Sequence, residues 1–495
     1  MLNMTKTSSG RQRLTRKRRA ALFTLAPCLS VALNLSAGAA GEQKLSARSL
    51  PTGVDRATVS RVLSPPPAHT SLRYDFDYPA IGYGDRPVSN SIARLQTRLD
   101  RGEVKLKFDP ARGYLDSLLE ALAVDASSQT LVYSKTSLQI DVIRAATPRA
   151  IYFNDDTYVA WVQGSDLLEL VVMDANLGPV FYTLPNRDDP AMQFQRETSR
   201  CLNCHDTYSM MGGGVPRFLF MSAYVGANGT ALTNRIPIDT TDETPLRDRW
   251  GGWYVTGQHG DQSHLGNILV RTASELTTEL RIPGDARRNN LDTLDRLFDT
   301  RPYLTNKSDI VALLVFEHQA YVHNLITRAN FKSRTVLAKQ APDHAMDART
   351  WQDLPSKSQA ALRPMLEPLV RAMLFVDAAK ISSRITSGSG FDAWFQAQGP
   401  RDRAGRSLRE LDLSTRVFKH PLSFLIYSEG FEGLPDCAKD YVYGRLADIF
   451  SGRDQSHAFS HLSAAERFDL MEILADTRPA FAQVASARQR VARLD

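Results

Sequence analysis

The chain has 495 residues, of which 43% are hydrophobic and 23% are charged, a composition that is ordinary for a soluble globular protein. Its formal net charge of +6 is concentrated in residues 1–39, which hold seven lysines and arginines and no acid. Subtracting these seven charges leaves the rest of the chain at −1, so a basic nucleic-acid-binding protein is not indicated.

Residues 1–39 have the organisation of a secretory signal peptide. A basic run at 11–19 (RQRLTRKRR) precedes mostly small or apolar residues over 20–37, and Ala37-Gly38-Ala39 forms a small-x-small cleavage site. We therefore expect a periplasmic or otherwise exported chain, cleaved near Ala39, with no stable membrane span in its mature part. The alternative is an uncleaved anchor, because the apolar stretch is nearly long enough to cross a membrane.

The next segment shows little periodicity. Residues 40–80 contain three consecutive prolines and are interpreted as a tether. A compact α+β N-terminal domain is predicted over 81–190. Its first helix is predicted where Asp109 provides an N-cap and Pro110 the first helical position, ahead of the segment ARGYLDSLLEAL.

Strand signals follow this helix. Residues 130–138 (TLVYSKTSL) are rich in strand-forming residues. Residues 149–163 are predicted to form a hairpin that turns at 154–156, and residues 167–183 a second hairpin that turns at 175–178. The two hairpins together predict an antiparallel sheet ahead of residue 190.

Residues 201–205 read Cys-Leu-Asn-Cys-His, the CxxCH attachment motif of a c-type haem. Cys201 and Cys204 would form the two thioether bonds, and His205 would be the proximal iron ligand. The preceding segment, PAMQFQRETSR, is predicted to be a short helix. The alternatives are a redox CxxC that happens to precede a histidine and half of a zinc site, although no second CxxC completes the latter. We expect one covalent haem c, held in a segment over 191–275.

Several residues are candidates for the second axial ligand of the iron. Met221 is possible but comes early in the chain. His259 and His264 lie at the usual distance, in 249–267 (RWGGWYVTGQHGDQSHLGN), whose glycines allow close approach and whose tryptophans can pack on a porphyrin. We expect this segment to close over the haem, with one of these histidines as a distal ligand or distal-pocket residue. The alternative is a glycine-rich loop whose histidines make ordinary polar contacts.

Residues 290–495 are predicted to form a mainly α-helical domain. Its first helix begins with Ser308 as N-cap and is apolar on nearly all sides, which is typical of a central buried helix. Ser463 and Glu466 form a capping box for a later helix. Residues 383–408 are rich in glycine, serine and arginine and are predicted to be a long ordered loop. Other helices are predicted in SQAALRPMLEPLVRAMLFV, LSTRVFKHPLSFLIY, KDYVYGRLADIF and SAAERFDLMEILAD.

The predicted central helix contains Glu317, His318 and His323. A carboxylate in so apolar a helix requires a polar partner. His318 and His323 are five residues apart and face roughly 140° away from each other, so one metal cannot bind both from this helix. We interpret the three residues as a satisfied buried polar network or, alternatively, as groups that face the haem pocket.

The motif at Cys201–His205 resembles that of the c-type cytochromes, and the resemblance implies the haem and its three anchoring residues. More broadly, the chain resembles an uncharacterised family of large exported bacterial proteins that carry one cytochrome c motif. The resembling blocks are YFNDDTYVAWVQG, CLNCH, RWGGWYVTGQHG and DIVALLVFEHQAYVHNLITRA, with a weaker likeness in GPRDRAGRSLRELDL. The predicted fold class is α+β, with an antiparallel β region before a cytochrome c-like haem segment and a mainly α-helical C-terminal region.

Three functions are compatible with this pattern. The first is single-electron transfer between a redox partner protein or small molecule and the covalent haem. The second is a haem-dependent oxidoreductase of peroxidase or oxidase type, with an open or displaceable sixth ligand, which would account for a chain much larger than a simple carrier needs. The third is a haem-based sensor or binding module. The sequence identifies neither a substrate nor a partner.

Overall fold

An antiparallel sheet of seven strands lies at the centre of the structure. The computed structural model describes residues 78–189, 191–205, 215–226, 228–232, 238–270, 289–340 and 350–491. The predicted signal peptide and most of the predicted tether therefore lie outside the described residues. The strands are β1 (Thr130–Val132), β2 (Arg149–Phe153), β3 (Thr157–Val162), β4 (Leu167–Asp174), β5 (Gly178–Pro185), β6 (Gln195–Arg196), β7 (Met221–Ser222), β8 (Ile238–Asp239) and β9 (Trp253–Tyr254). The seven strands run in the order β6-β5-β4-β3-β2-β1-β9, and β7 pairs with β8 separately.

The two predicted hairpins are confirmed, with their turns held by local side chains. Asn154 Oδ1 accepts hydrogen bonds from the backbone of Asp156 and Thr157, which closes the β2–β3 turn. In the β4–β5 turn, Asp174 Oδ1 accepts hydrogen bonds from the backbone of Asn176 and Leu177. Gly178 adopts a left-handed φ of 66° and packs so closely on Thr327 that a larger residue would clash. Both turns are therefore stabilised by side chains within a few residues of the turn itself.

The helices complete a mixed α+β fold, which confirms the predicted fold class, and most of them lie in the C-terminal half. They are α1 (Ser91–Asp100), α2 (Leu115–Ala121), α3 (Leu202–His205), α4 (Ile310–Gln340), α5 (Ser356–Met373), α6 (Phe391–Ala397), α7 (Glu429–Glu432), α8 (Asp436–Phe450), α9 (Ala464–Thr477) and α10 (Pro479–Val491). The described residues form one compact unit.

The sheet is buried on both faces because helices cover each side. Tyr152 and Val159 point to one face, where they share a hydrophobic cluster with Leu115 of α2. Phe153 and Tyr158 point to the other face, where their rings lie 5.1 and 5.3 Å from that of Phe316 in α4. This arrangement explains why the strands are apolar almost throughout rather than alternately polar.

The long helix α4 is the central buried helix that the sequence predicts. It spans 31 residues, and 23 of them are buried. Its cap differs from the prediction by one residue: Asp309 Oδ1 accepts hydrogen bonds from the backbone of Val311 and Ala312. Ser308 instead uses its hydroxyl to join two segments, accepting from Leu131 N and donating to Tyr254 O. The carboxylate of Asp309 therefore caps α4, and the hydroxyl of Ser308 connects the start of α4 to β1 and β9.

Several local predictions are wrong. Helix α2 begins at Leu115, because Asp109 caps a tight turn that closes at Gly113 rather than a helix. The approach to the CxxCH motif is extended at Gln195–Arg196 and is not helical. The segment 413–427 forms only a short 3₁₀ turn, since Pro421 interrupts it. The predicted loop at 383–408 contains helix α6.

The capping box at Ser463 and Glu466 is confirmed at the start of α9. The helices predicted in SQAALRPMLEPLVRAMLFV and KDYVYGRLADIF correspond to α5 and α8. Within the residues that the structure describes, no helix is both long enough and apolar enough to cross a membrane.

Candidate functional site

The CxxCH motif forms a single helical turn, α3. The backbone N–H groups of Cys204 and His205 both donate to the carbonyl of Cys201, at 3.2 and 3.1 Å. Residues three and four apart on a helix share one face. Cys201 is half-buried and Cys204 is exposed, and both are free thiols. The turn therefore presents two sulfur atoms and one imidazole from the same side, and burial raises the pKa of the Cys201 thiol to about 12.

The residues before this turn fix it to the edge of the sheet. Glu197 is buried, accepts a 2.8 Å hydrogen bond from Thr183 in β5, and forms an ion pair with Arg200. Leu202, inside the motif, is buried in the cluster on the α2 side of the sheet. The polar contacts of Glu197 and the apolar packing of Leu202 therefore both hold the motif against the sheet.

His205 is held in one tautomer. Its Nδ1 atom lies 2.8 Å from the backbone carbonyl oxygen of Arg217, which can only accept, so Nδ1 carries the proton. Its ring centroid lies 4.6 Å from that of Phe181, which fixes the ring orientation. Burial lowers the pKa of His205 to about 4, so the imidazole is neutral at pH 7. Its Nε2 atom makes no hydrogen bond to any described residue and keeps its lone pair available.

This geometry fits a metal ligand. A histidine that binds a metal through one nitrogen usually donates its other N–H to a carbonyl or carboxylate, which orients the ring and raises its basicity. His205 and Arg217 already have this relationship. The thiols of Cys201 and Cys204 are three residues apart, the spacing that the CxxCH motif uses for a haem. The residues present therefore fit a covalently attached haem.

A buried ion pair lies beside the motif on the sheet face that α4 partly covers. Arg149 Nη1 is 3.9 Å from Glu169 Oε2, and both charges influence the pKa of His205, in opposite directions. Glu169 is further held by Gln139 Nε2 at 2.7 Å. The Nε atom of Arg149 is buried without a hydrogen-bond partner. This sheet surface thus offers an unused N–H donor close to the proximal histidine.

His259 and His264 are brought together in the structure, but at another place in the fold. Their ring centroids are 4.8 Å apart, and both side chains are buried. The chain just before His259 meets the first turn of α4, where Ile310 N donates to Thr256 O at 2.9 Å. The segment that holds His205 contacts α4 through Asn324 instead. Asn324 lies fourteen positions after Ile310 in α4, which corresponds to about 21 Å along the helix axis.

Each of these two histidines also has its lone pair occupied. His259 Nε2 accepts from the backbone N–H of Asn290 at 3.2 Å, and His264 Nδ1 accepts from that of Gly266 at 3.0 Å. A neutral imidazole has only one such acceptor nitrogen. In this arrangement neither histidine has a lone pair to give to iron.

Met221 lies in β7, four residues beyond Arg217. Its side chain is half-buried, and its backbone carbonyl accepts a 2.9 Å hydrogen bond from Trp253 Nε1. Of the three distal candidates drawn from the sequence, Met221 is therefore the one whose donor atom has no competing hydrogen bond among the described contacts.

Glu317, His318 and His323 each have a polar partner, but Glu317 Oε1 and His323 Nδ1 are buried without one, so the network is only partly satisfied. Glu317 Oε2 accepts from Arg249 at 2.7 Å, in a pair that is almost completely buried. His323 Nε2 lies 2.9 Å from the backbone carbonyl of Asp155 and donates to it. Among the described residues, no group of three or more His, Cys, Asp or Glu side chains could hold a metal ion.

His318 completes an arrangement that sequence reasoning missed. Its Nδ1 lies 2.8 Å from Asp242 Oδ2 and its Nε2 lies 2.7 Å from Ser423 Oγ, the order of a Ser-His-Asp triad. The residues are 76 and 105 positions from His318, so no local motif could reveal them. Ser423 is fully buried, and its hydroxyl caps the 3₁₀ turn at Leu425. A substrate cannot reach this hydroxyl, so we interpret the arrangement as structural.

Comparisons with protein-family models, with curated proteins and with solved structures find no match for this chain.

Proposed function

We propose that this chain is an exported haem c protein that transfers single electrons through one haem attached to Cys201 and Cys204, with His205 as the proximal ligand. The observation that carries the proposal is the CxxCH turn, in which His205 Nδ1 donates to the Arg217 carbonyl and no described residue hydrogen-bonds to Nε2. A chance CxxCH would not require a hydrogen bond that orients its histidine.

The chain's own residues have defined roles in this proposal. The haem, when bound, supplies an iron that changes reversibly between two oxidation states. Phe181 and the Arg217 carbonyl keep the imidazole of His205 in one orientation, which limits the rearrangement that a change of iron charge can cause. Arg149, whose buried Nε has no hydrogen-bond partner, would be available to donate to an acidic substituent of the haem.

A second candidate function is a haem-dependent oxidoreductase of peroxidase or oxidase type. It is favoured by the occupied lone pairs of His259 and His264, which remove two of the three distal candidates. If no side chain of the protein takes the sixth position, that position would be open to a small molecule, which suits either catalysis or a haem-based sensor. The absorption spectrum of the oxidised protein separates these functions. An electron carrier is expected to have low-spin six-coordinate iron, and a catalyst or gas sensor is expected to have high-spin iron.

The proposed location is the periplasm or another exported compartment. The support is the basic, apolar and small-residue pattern of residues 1–39, together with the chemistry of the motif, because CxxCH haem attachment takes place outside the bacterial cytoplasm.

The test is production of the full chain in a host that attaches haem c, followed by haem staining on a denaturing gel. The wild type should stain and should keep its haem through acid–acetone extraction. The double variant Cys201→Ala/Cys204→Ala should lose the stain. Cys437→Ala is the matched control, because this thiol is buried in α8, and it should stain like the wild type. Extractable haem in the wild type would contradict the proposal.

A further inference from the structure

We propose that the haem lies against a partly exposed strip of the sheet beside His205, and that Arg149 at the end of this strip binds one haem carboxylate. This position rests on the proposed function, since it concerns the haem that the CxxCH motif would hold. The strip consists of five side chains that point to the same face of β2, β3 and β4 and are called here the open strip: Arg149, Ala160, Leu167, Glu169 and Val171.

The open strip is a part of the sheet that the helices do not fully cover. In β4, Leu167, Glu169 and Val171 are partly exposed, whereas the residues between them are buried on the opposite face. In β3, Ala160 is partly exposed and lies directly opposite Glu169. Helix α4 packs on the neighbouring row of aromatic side chains on this face. A stretch of sheet surface beside that row is therefore accessible to a ligand.

The open strip continues directly from the ring of His205. That ring packs on Phe181 at 4.6 Å, and Phe181 lies opposite Val171 in the antiparallel β4–β5 pair. Side chains opposite one another in such a pair have Cβ atoms about 5 Å apart. The charge of Glu169 also influences the pKa of both His205 and Cys201. A porphyrin joined to the CxxCH motif therefore lies within reach of the open strip.

Ala160 leaves room for a flat ligand at the middle of the sheet. Alanine is depleted in strands, yet Ala160 lies in the fourth of seven strands, between the longer side chains of Ile151 and Glu169. Two large apolar side chains lie at the same place, because the backbone N–H of Leu138 donates to Glu169 Oε1 at 3.0 Å. Leu138 and Ile140 are 39% and 48% exposed. An apolar ring would cover surface that is otherwise left to solvent.

Arg149 supplies a positive charge at the end of the open strip. Its Nε–H is buried without an acceptor, which is costly for a polar group. The carboxylate of Glu169, at 3.9 Å, is beyond hydrogen-bond distance and already accepts from Leu138 N and Gln139 Nε2. A guanidinium has five N–H donors in a planar fork, so Arg149 can bind a second carboxylate. A haem has both an apolar ring and carboxylate substituents, and the open strip offers a partner for each.

The position of the haem is tested by NMR of the full chain with carbon-13-labelled alanine methyl groups, in the reduced state. The haem-loaded wild type is compared with the haem-free variant Cys201→Ala/Cys204→Ala, and serine substitutions assign the two resonances of interest. The Ala160 methyl resonance should shift in the ring-current field of the porphyrin. Ala150 points to the opposite face of the sheet and is the matched control, which should shift much less. An Ala160 resonance that moves no more than that of Ala150 would overturn the proposed position.

The role of Arg149 is tested by the midpoint potential of the haem. Arg149→Met should lower the potential, because loss of a nearby positive charge favours the oxidised iron. Arg149→Lys keeps the charge and should retain most of the wild-type value. Arg403→Met is the matched control, since this guanidinium is 88% exposed and screened by solvent, and it should leave the potential unchanged. An unchanged potential in Arg149→Met would overturn the role of Arg149.

Haem staining of the wild type and of each variant distinguishes this position of the haem from the proposed function. A wild-type chain without covalent haem would overturn both. A wild type that holds covalent haem, with no selective shift at Ala160 and no change of potential in Arg149→Met, would overturn the role of the open strip alone.

Discussion

The Nδ1 atom of His205 lies 2.8 Å from the carbonyl oxygen of Arg217, twelve residues further along the chain. This one hydrogen bond decides which nitrogen of the imidazole can act as a ligand. It also ties the CxxCH turn to the segment that runs along α4, because the neighbouring Phe218 exchanges two hydrogen bonds with Asn324. The motif is thus part of the packed structure rather than a free loop.

Phe181→Leu should loosen the ring of His205 without releasing the haem. The substitution removes the aromatic contact at 4.6 Å from a site that is 2% exposed. We expect a loss of about 1–2 kcal/mol in the free energy of unfolding, measured with urea, and a shifted midpoint potential. Phe468→Leu is the control, since Phe468 is 62% exposed, and it should change neither quantity. An unchanged potential in Phe181→Leu would contradict the orienting role.

Asp156→Asn should stabilise the protein at neutral pH. Burial raises the pKa of Asp156 to about 8, with the Asp155 carboxylate adding to the effect. Between about pH 4 and pH 8 the folded chain holds a proton that the unfolded chain has released, so this residue makes stability fall as the pH rises. The variant should therefore be more stable than the wild type by about 1–3 kcal/mol at pH 8, with the difference vanishing near pH 4.

Chemical denaturation at pH 4, 6 and 8 measures this difference. The exposed Asp188→Asn is the matched control. A stability difference for Asp156→Asn that does not depend on pH would show that the buried carboxyl does not titrate in this window.

Arg249→Met should be strongly destabilising. The substitution leaves Glu317 buried without its partner at 2.7 Å, and loss of one member of a buried pair typically costs about 3–5 kcal/mol. Arg301→Met removes a pair with Asp299 whose side chains are 88% and 51% exposed, and it should cost less than about 1 kcal/mol. Equal effects in the two variants would contradict the burial argument.

Ser423 should not behave as a nucleophile. Its hydroxyl is buried, although the partners His318 and Asp242 stand in catalytic order. An organophosphonate probe should leave the folded protein unlabelled, and Ser423→Ala should lower stability by about 1–2 kcal/mol through the lost hydrogen bonds. Labelling at Ser423 in the native chain would contradict the structural role.

Local features of the sequence predicted much of the fold. The hairpin turns at 154–156 and 175–178 and the capping box at Ser463 were predictable because each depends on residues within a few positions of one another. The apolar residues of the segment 413–427 suggest a helix, but Pro421 interrupts the segment and only a short 3₁₀ turn forms. Helix α4 was recognised from its apolar surface, while its cap moved to Asp309 because Ser308 bonds to distant strands.

The candidate site is likewise only partly predictable from the sequence. The CxxCH motif is contiguous and can be read directly, whereas the acceptor for His205 Nδ1 is a backbone carbonyl that no sequence pattern marks. The sequence marks His259 and His264 as alternative distal candidates in one segment but cannot show that the backbone of Asn290 and Gly266 occupies their lone pairs. Hydrogen bonds to the backbone thus determine which histidine nitrogens are available as ligands, and composition and spacing do not reveal these bonds.

Replacing each distal candidate in turn should identify the sixth ligand. His259→Ala and His264→Ala should keep the spin state of the wild-type haem, because neither lone pair is free. Met221→Ala should convert low-spin iron to high-spin if the protein is an electron carrier. An absorption spectrum of each oxidised variant checks this, and a change of spin state in either histidine variant would contradict the hydrogen-bond argument.

The most direct test of the central claim is mass spectrometry of the peptide that contains Cys201–His205. The chain should be purified from a host that attaches haem c, without reduction, and treated with an alkylating reagent before digestion. We expect this peptide to carry the mass of one haem, with neither Cys201 nor Cys204 alkylated. A peptide with two alkylated cysteines and no haem mass, from a host whose own c-type cytochromes are matured, would contradict it.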